Sequence, residues 1–134
     1  MDAFEMLKDL SKLGKKTKEV SIGQLKLLMS TLDADQEGNI FITCADLTGN
    51  AYFNKLKSET LKYSIRAVND QRLDEYEKIE DSKKREELKK DTLSKLEKII
   101  GSWDENVISY LYKVWSDLSK ESEEELRQQG IAIE

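Results

Sequence analysis

Apolar positions recur through this chain with a spacing that changes from segment to segment. Phe4, Leu7, Leu10 and Leu13 fall three residues apart with Met6 beside them, which predicts a short amphipathic helix. Gly14 and the basic run Lys15-Lys16-Thr17-Lys18 would close it, a C′ glycine followed by cations near the negative end of the helix dipole. Val20 and Ile22 alternate with polar neighbours and predict a brief extended piece. Ser21-Ile22-Gly23-Gln24 has capping-box spacing, predicting a helix with Leu25, Leu27, Leu28 and Met29 that ends near Leu32. Between Asp33 and Asp46 the pattern is ambiguous, and Ile40-Phe41-Ile42 reads as a short strand or as the entry to a helix. From Ala51 to about Ala67, Phe53, Leu56, Leu61 and Ile65 share one helical face. Val68-Asn69-Asp70-Gln71-Arg72-Leu73 then places a turn pair between apolar residues, as in a tight turn or small hairpin.

Two longer helices follow. The first runs from about Lys83 to Ile100, with Leu88, Leu93, Leu96, Ile99 and Ile100 as its expected buried stripe. Interleaved lysines and glutamates cover its other faces, including the Glu86–Lys90 pair. Gly101 would end it. Ser102-Trp103-Asp104-Glu105 gives a second capping-box match, opening a last helix whose wide apolar face carries Val107, Ile108, Leu111, Tyr112, Trp115 and Leu118. That face weakens from Ser122 to Leu126, and Gln128-Gln129-Gly130 onward reads as a frayed end. The expected fold is mainly α, a compact bundle of about four or five helices with one small β-hairpin. One domain over residues 1–134 is the working division, with an alternative boundary in the charged stretch 77–84.

Composition narrows the function classes. The 134 residues hold no histidine, so the commonest general base and metal ligand is missing. A single cysteine, Cys44, cannot form an internal disulfide. Charged residues make up 37% with a net charge of −5, a balance unlike that of a non-specific nucleic-acid binder. No apolar run approaches the roughly 18–20 residues of a membrane span, and Met1 to Leu13 lacks a signal-peptide layout. The expectation is a cytoplasmic protein without membrane or nucleic-acid partners, free to self-associate. The absence of proline suits long helices.

The sharpest chemical motif is Asp33-Ala34-Asp35-Gln36-Glu37-Gly38-Asn39-Ile40. Carboxylates at the first, third and fifth places and glycine at the sixth resemble an EF-hand calcium loop, with Asp33, Asp35, Glu37 and the Asn39 carbonyl as candidate metal ligands. The twelfth place, which should supply a bidentate carboxylate, is Cys44. The competing structural reading is an acidic exposed turn after a helix, with Gly38 enabling a left-handed backbone. Cys44 has no histidine to activate it, and a small apolar packing role suits it better. No carboxylate pair stands out as an acid–base couple, so no catalytic residue is assigned. The lysines at 15, 16 and 18 and the run Lys83-Lys84-Arg85 lie among acids and read as solvated helix ends, with phosphate contact as the alternative. Tyr112 and Trp115 sit on the apolar face and read as core. Trp103 at the helix entry resembles a staple residue against Val107, and Tyr110 projects sideways. Trp103 and Tyr110 are therefore the candidate protein-interface anchors.

The order of these parts resembles small tail or baseplate assembly proteins of tailed bacteriophages, among them tail assembly chaperones and T4-type baseplate hub assembly proteins. A short extended lead into a helix in those proteins is similar to Glu19-Val20-Ser21-Ile22-Gly23-Gln24-Leu25-Lys26-Leu27-Leu28, and a later segment is similar to Leu61-Lys62-Tyr63-Ser64-Ile65-Arg66-Ala67-Val68-Asn69. A helix with an Arg-Glu-Glu start and the closing unit Trp103 to Leu118 complete the order. The chain departs at Asn69-Asp70, where Asn-Gly is expected, and in the acidic stretch Asp33 to Glu37. The resemblance implies no enzyme activity and no cofactor. It implies binding to other tail proteins, such as the tape measure or baseplate components, in the infected host cell or in the virion.

Overall fold

The computed structural model describes residues 2–133. Among them the order is α1 (Ala3–Lys8), a 3-10 turn (Asp9–Lys12), β1 (Thr17–Ile22), β2 (Leu25–Ser30), α2 (Ala34–Cys44), α3 (Gly49–Ser64), β3 (Ile65–Val68), β4 (Gln71–Arg72), a second 3-10 turn (Glu75–Lys78), α4 (Ser82–Gly101) and α5 (Glu105–Gln128). The expectation of a mainly helical chain holds. Its β component is larger than one hairpin: the four strands form an antiparallel sheet in the order β1-β2-β3-β4.

The helix expected from Leu25 to Leu32 is instead a strand. Gly23 has φ +58 and Ile22 pairs with Leu25, so Gly23-Gln24 is a two-residue hairpin turn. Positive φ at the first turn position alone is the type II′ pattern, which favours glycine there. That turn accounts for the Ser-x-x-Gln spacing without a helix cap. The period that decides the segment is two: Val20, Leu27 and Met29 are buried, while Glu19, Lys26 and Ser21 face away. The second turn agrees with the expected hairpin. Asn69 (φ +47) and Asp70 (φ +68) both adopt left-handed backbone, as a type I′ turn requires. Asn69 also fastens the turn to the neighbouring strand, accepting from the Lys26 amide at 2.8 Å and donating its own amide to the Lys26 carbonyl at 2.8 Å.

Opposite Leu28 and Met29, β3 carries one extra residue, since Leu28 pairs with Ala67 and Met29 with Ile65. The residue left over in this bulge is Arg66, which turns toward the second 3-10 turn. Its Nε meets Asp74 at 3.0 Å and its Nη2 meets Glu77 at 2.6 Å. Arg72 grips the same Asp74 carboxylate with Nε at 2.9 Å and Nη2 at 2.6 Å. Burial works against the Asp74 charge, but the Arg72 hydrogen bonds and the two guanidinium charges outweigh it and hold the carboxyl below its ordinary range. The folded pKa is the lower one, so the contribution of Asp74 to stability is full above the unfolded value, near 4, and is lost as pH falls through the folded value. Asp74→Asn should therefore flatten the fall in stability below about pH 4, measured as urea midpoints from pH 7 to 2. An unchanged acid limb would remove Asp74 from this account.

The core lies where α3, α4 and α5 cover one face of the sheet. Val20, Leu27, Met29 and Ile65 come from the strands, Leu61 from α3, Ile100 from α4 and Leu111 from α5. The expected stripe on α4 is corrected: Ile100 alone is fully buried, while Leu88 and Ile99 are 40% and 52% exposed. Helix α5 buries Leu111, Leu118 and Ser122, seven and four residues apart. Its start is two residues later than expected: Asp104 rather than Ser102 is the N-cap, accepting from the Asn106 amide at 2.8 Å. Its end is not frayed: Gly130 (φ +88) donates to the Arg127 carbonyl and Ile131 to the Leu126 carbonyl, the two bonds of a Schellman cap.

Candidate functional site

The expected metal loop is corrected first. Residues 34–44 are helix α2, and Gly38 sits within it with ordinary helical backbone, so neither a calcium loop nor a left-handed turn forms there. Asp33 is the N-cap. It accepts from the Gln36 amide at 2.8 Å, and the Gln36 side chain accepts from the Asp33 amide at 3.0 Å, a reciprocal capping box. The favourable use of these acids is thus at the positive helix end, where Asp35 and Glu37 occupy the first turn. The Asn39 carbonyl accepts from the Thr43 hydroxyl at 2.9 Å. Burial, then the charges of Asp33 and Glu123, raise the Glu37 pKa. Among the described residues no group of three or more His, Cys, Asp or Glu side chains is placed to hold a metal. The donor set does not fit calcium.

Cys44, at the last turn of α2, is 1% exposed. Burial, and then the nearby Glu59 charge, push its thiol pKa upward, away from the thiolate that nucleophilic chemistry needs. The basic clusters are partly committed as well. Lys16 reaches Glu125 at 2.8 Å and Glu121 at 3.8 Å, and the Glu125 hydrogen bond leads the causes that raise its pKa. Arg85 donates to the Ile79 carbonyl at 3.1 Å.

The two aromatic candidates separate. Trp103 is half-buried and packs on the core. It precedes the Asp104 cap, so the register makes Ile108 rather than Val107 its staple position, and Ile108 also packs on the core. Tyr110 is 52% exposed with Val107 exposed one turn before it. Tyr112 and Trp115, expected in the core, are only half-buried, with their rings tilted at 35° and 5.6 Å between centroids, and Trp115 packs against the core cluster.

Three exposed residues that the sequence pattern did not mark as interface candidates join Tyr110, and one of them, Phe53, is corrected from the apolar face it was expected to share with Leu61 and Ile65. Phe41 and Ile42 on α2 are 70% and 73% exposed, and Phe53 on α3 is 56% exposed with its ring edge-on to Tyr52. Helix α3 packs against both α2 and α5, so these apolar groups sit on three neighbouring helices. They lie away from the positions that fill the core, Ile40 and Cys44 on α2 and Leu61 and Ser64 on α3. Isolated exposed apolar residues are ordinary, but several large ones on adjoining elements mark association surfaces. The available signal was the Phe-Ile pair following Ile40: a helix that buries position 40 and then 44 must turn 41 and 42 outward.

No family model matches the chain, and neither a curated protein nor a solved structure is significantly similar to it. Among the described residues no helix is long and apolar enough to cross a membrane.

Proposed function

We propose that the chain is a non-enzymatic protein-interaction module that acts in phage tail or baseplate assembly by binding other tail proteins. The carrying observation is the outward apolar set on α2, α3 and α5: Phe41, Ile42, Phe53 and Tyr110 are all more than half exposed. Burying such side chains against a partner removes apolar surface from water at about 25 cal/mol per Å², and aromatic groups are the usual anchors of such contacts. The tail context comes from the resemblance of the 19–28 and 61–69 segments and the closing helix to tail and baseplate assembly proteins. Residues 19–28 form a β-hairpin rather than the extended lead into a helix that the resemblance implies, so the tail context rests on the 61–69 segment and the closing helix.

The test is recovery of tagged full-length protein from its native expression context, with bound proteins identified by mass spectrometry. Tape-measure, tail-tube or baseplate proteins should be recovered. Phe41→Asp and Tyr110→Ala should reduce that recovery by about tenfold or more with unchanged melting temperature. Recovery of no tail protein, or recovery indifferent to both substitutions, overturns the reading.

A further inference from the structure

The exposed apolar set on α2, α3 and α5 has a charge pattern of its own. Between Lys26 and Lys55 the chain has no lysine or arginine, although 22 of its 134 residues are one or the other. Helix α2 and its flanks fall in that gap and carry four acids, Asp33, Asp35, Glu37 and Asp46. Phe41 and Ile42 stand in the last turn of this helix. Glu37 lies one turn before Phe41 on the same face, Asp46 lies one turn beyond Ile42, and both acids are exposed.

The last turn of a helix is its negative pole, which a basic side chain there would offset. Helix α2 has no basic residue in its last turn, and Asp46 adds a full negative charge beyond it. From α5, Glu123 comes near enough to Glu37 to raise its pKa, together with burial and Asp33, and no cation acts on that carboxyl. Among the described residues none of Glu37, Asp46 and Glu123 forms an ion pair.

The cations around α2 stand elsewhere. Arg85 and Lys89 share a small cavity with Asp33 and Asp35, and Lys15 and Lys16 share another with Asp33. Glu37, Phe41, Ile42 and Asp46 line neither cavity. On α5, Lys113 follows Tyr110 by one turn, and Lys57 on α3 donates to the Ser109 hydroxyl at 3.3 Å. The exposed set is therefore acidic at its α2 end and basic at its Tyr110 end.

An apolar face beside uncompensated carboxylates selects its partner by charge. A neutral or acidic segment seated on Phe41 and Ile42 would dry those carboxylates without supplying a counter-charge, which costs free energy. A lysine or arginine at the edge of the segment removes that cost and draws the two surfaces together. Its methylene stem can lie along the Phe41 ring while the charged end reaches Glu37 or Asp46.

We infer that the partner segment seated on Phe41 and Ile42 is cationic: apolar residues flanked by Lys or Arg, whose charges meet Glu37, Asp46 and Glu123. This rests on the docking set proposed above and is independent of the tail context.

Two synthetic amphipathic peptides serve as probes, with the same apolar positions and either lysine or glutamate at the flanking places. Fluorescence anisotropy reads their binding to the full chain at about 50 mM and about 300 mM salt. At low salt the lysine peptide should bind at least about tenfold more tightly, and the difference should narrow at high salt. Phe41→Ser/Ile42→Ser should remove its binding, and Glu37→Lys/Asp46→Lys should abolish the preference for lysine. Glu5→Lys/Asp9→Lys changes the net charge equally on the N-terminal segment and should leave the preference intact. All six positions are exposed, so the folds should be retained, and melting curves check this. Equal affinity for the two peptides, binding of neither, or an equal loss in both charge variants overturns the inference. Protein recovery from the native context separates it from the docking set. Recovery that falls with Phe41→Asp and Tyr110→Ala but not with Glu37→Lys/Asp46→Lys overturns the cationic partner alone, and recovery indifferent to every substitution overturns both.

Discussion

Glu59→Ala should destabilise the protein by about 3–5 kcal/mol, the cost of stranding a buried charge. Glu59 lies in the middle of α3 and is 2% exposed. Its Oε1 is 3.2 Å from Lys55 Nζ, one turn before it, and its Oε2 is 2.5 Å from Lys62 Nζ, one turn after it. The Lys62 contact lacks the angles of a directed hydrogen bond, so its attraction is chiefly Coulombic. Lys55 has a second acid, Glu97 on α4 at 2.9 Å. Lys62 has a side chain only 12% exposed and no second ion pair among the described residues. Removing the carboxylate thus leaves one ammonium with a partner and one without. Glu59→Leu combined with Lys62→Met removes both charges and should recover most of the loss, because a buried pair replaced by apolar groups of similar size is near neutral. Urea midpoints at constant m give both values and their coupling. A loss below about 1 kcal/mol for Glu59→Ala would show that the pair behaves as a surface ion pair despite its burial.

That network shows where the sequence was silent. Lys55, Glu59 and Lys62 have ordinary helical ion-pair spacing, and nothing in the local pattern distinguishes a buried glutamate from a solvated one. Burial depends on α4 lying across α3, a tertiary fact. Long helices were legible because each shows a sustained 3.6-residue period: α4 and α5 fall within a few residues of their expected limits. Leu25 to Met29 was misread because Leu27, Leu28 and Met29 satisfy both periods over so short a run, and the arbiter was Gly23 at positive φ. The acidic stretch after Leu32 misled in the opposite way. Asp33, Asp35 and Glu37 match calcium-loop spacing, yet acids also favour the first turn of a helix, and the Asp33–Gln36 capping box decides for the helix. Exposure of the N-terminal stripe could not be read at all, since Phe4, Leu7 and Leu10 are 60–78% exposed yet have the spacing of residues that fill a core.

On α5 the same question can be put to two adjacent residues. Leu111→Ala should cost about 2–5 kcal/mol, the sum of lost burial and a cavity that rigid neighbours fill incompletely. Leu111 is 1% exposed and belongs to the core with Met29, Leu61 and Ile100, which are all 0% exposed. Four partly buried groups of the same region, Trp103, Ile108, Val114 and Trp115, pack on that cluster. The two indoles among them are bulky and cannot readily collapse into the space of three missing carbons, which favours the upper part of that range. Tyr110→Ala, one residue earlier, removes more atoms but from a side chain 52% exposed, and should stay within about 0.5 kcal/mol of the parent. The pair therefore separates what the apolar pattern of the helix merges. Partner recovery should follow the opposite order, falling with Tyr110→Ala and surviving in whatever fraction of Leu111→Ala remains folded. Trp103→Ala cannot serve this purpose, because its packing on the core makes any loss of binding inseparable from loss of fold. Equal stability for the Leu111 and Tyr110 variants would mean that α5 is docked on the sheet less tightly than its burial implies, and the division of its aromatic residues into core and anchor would have to be redrawn.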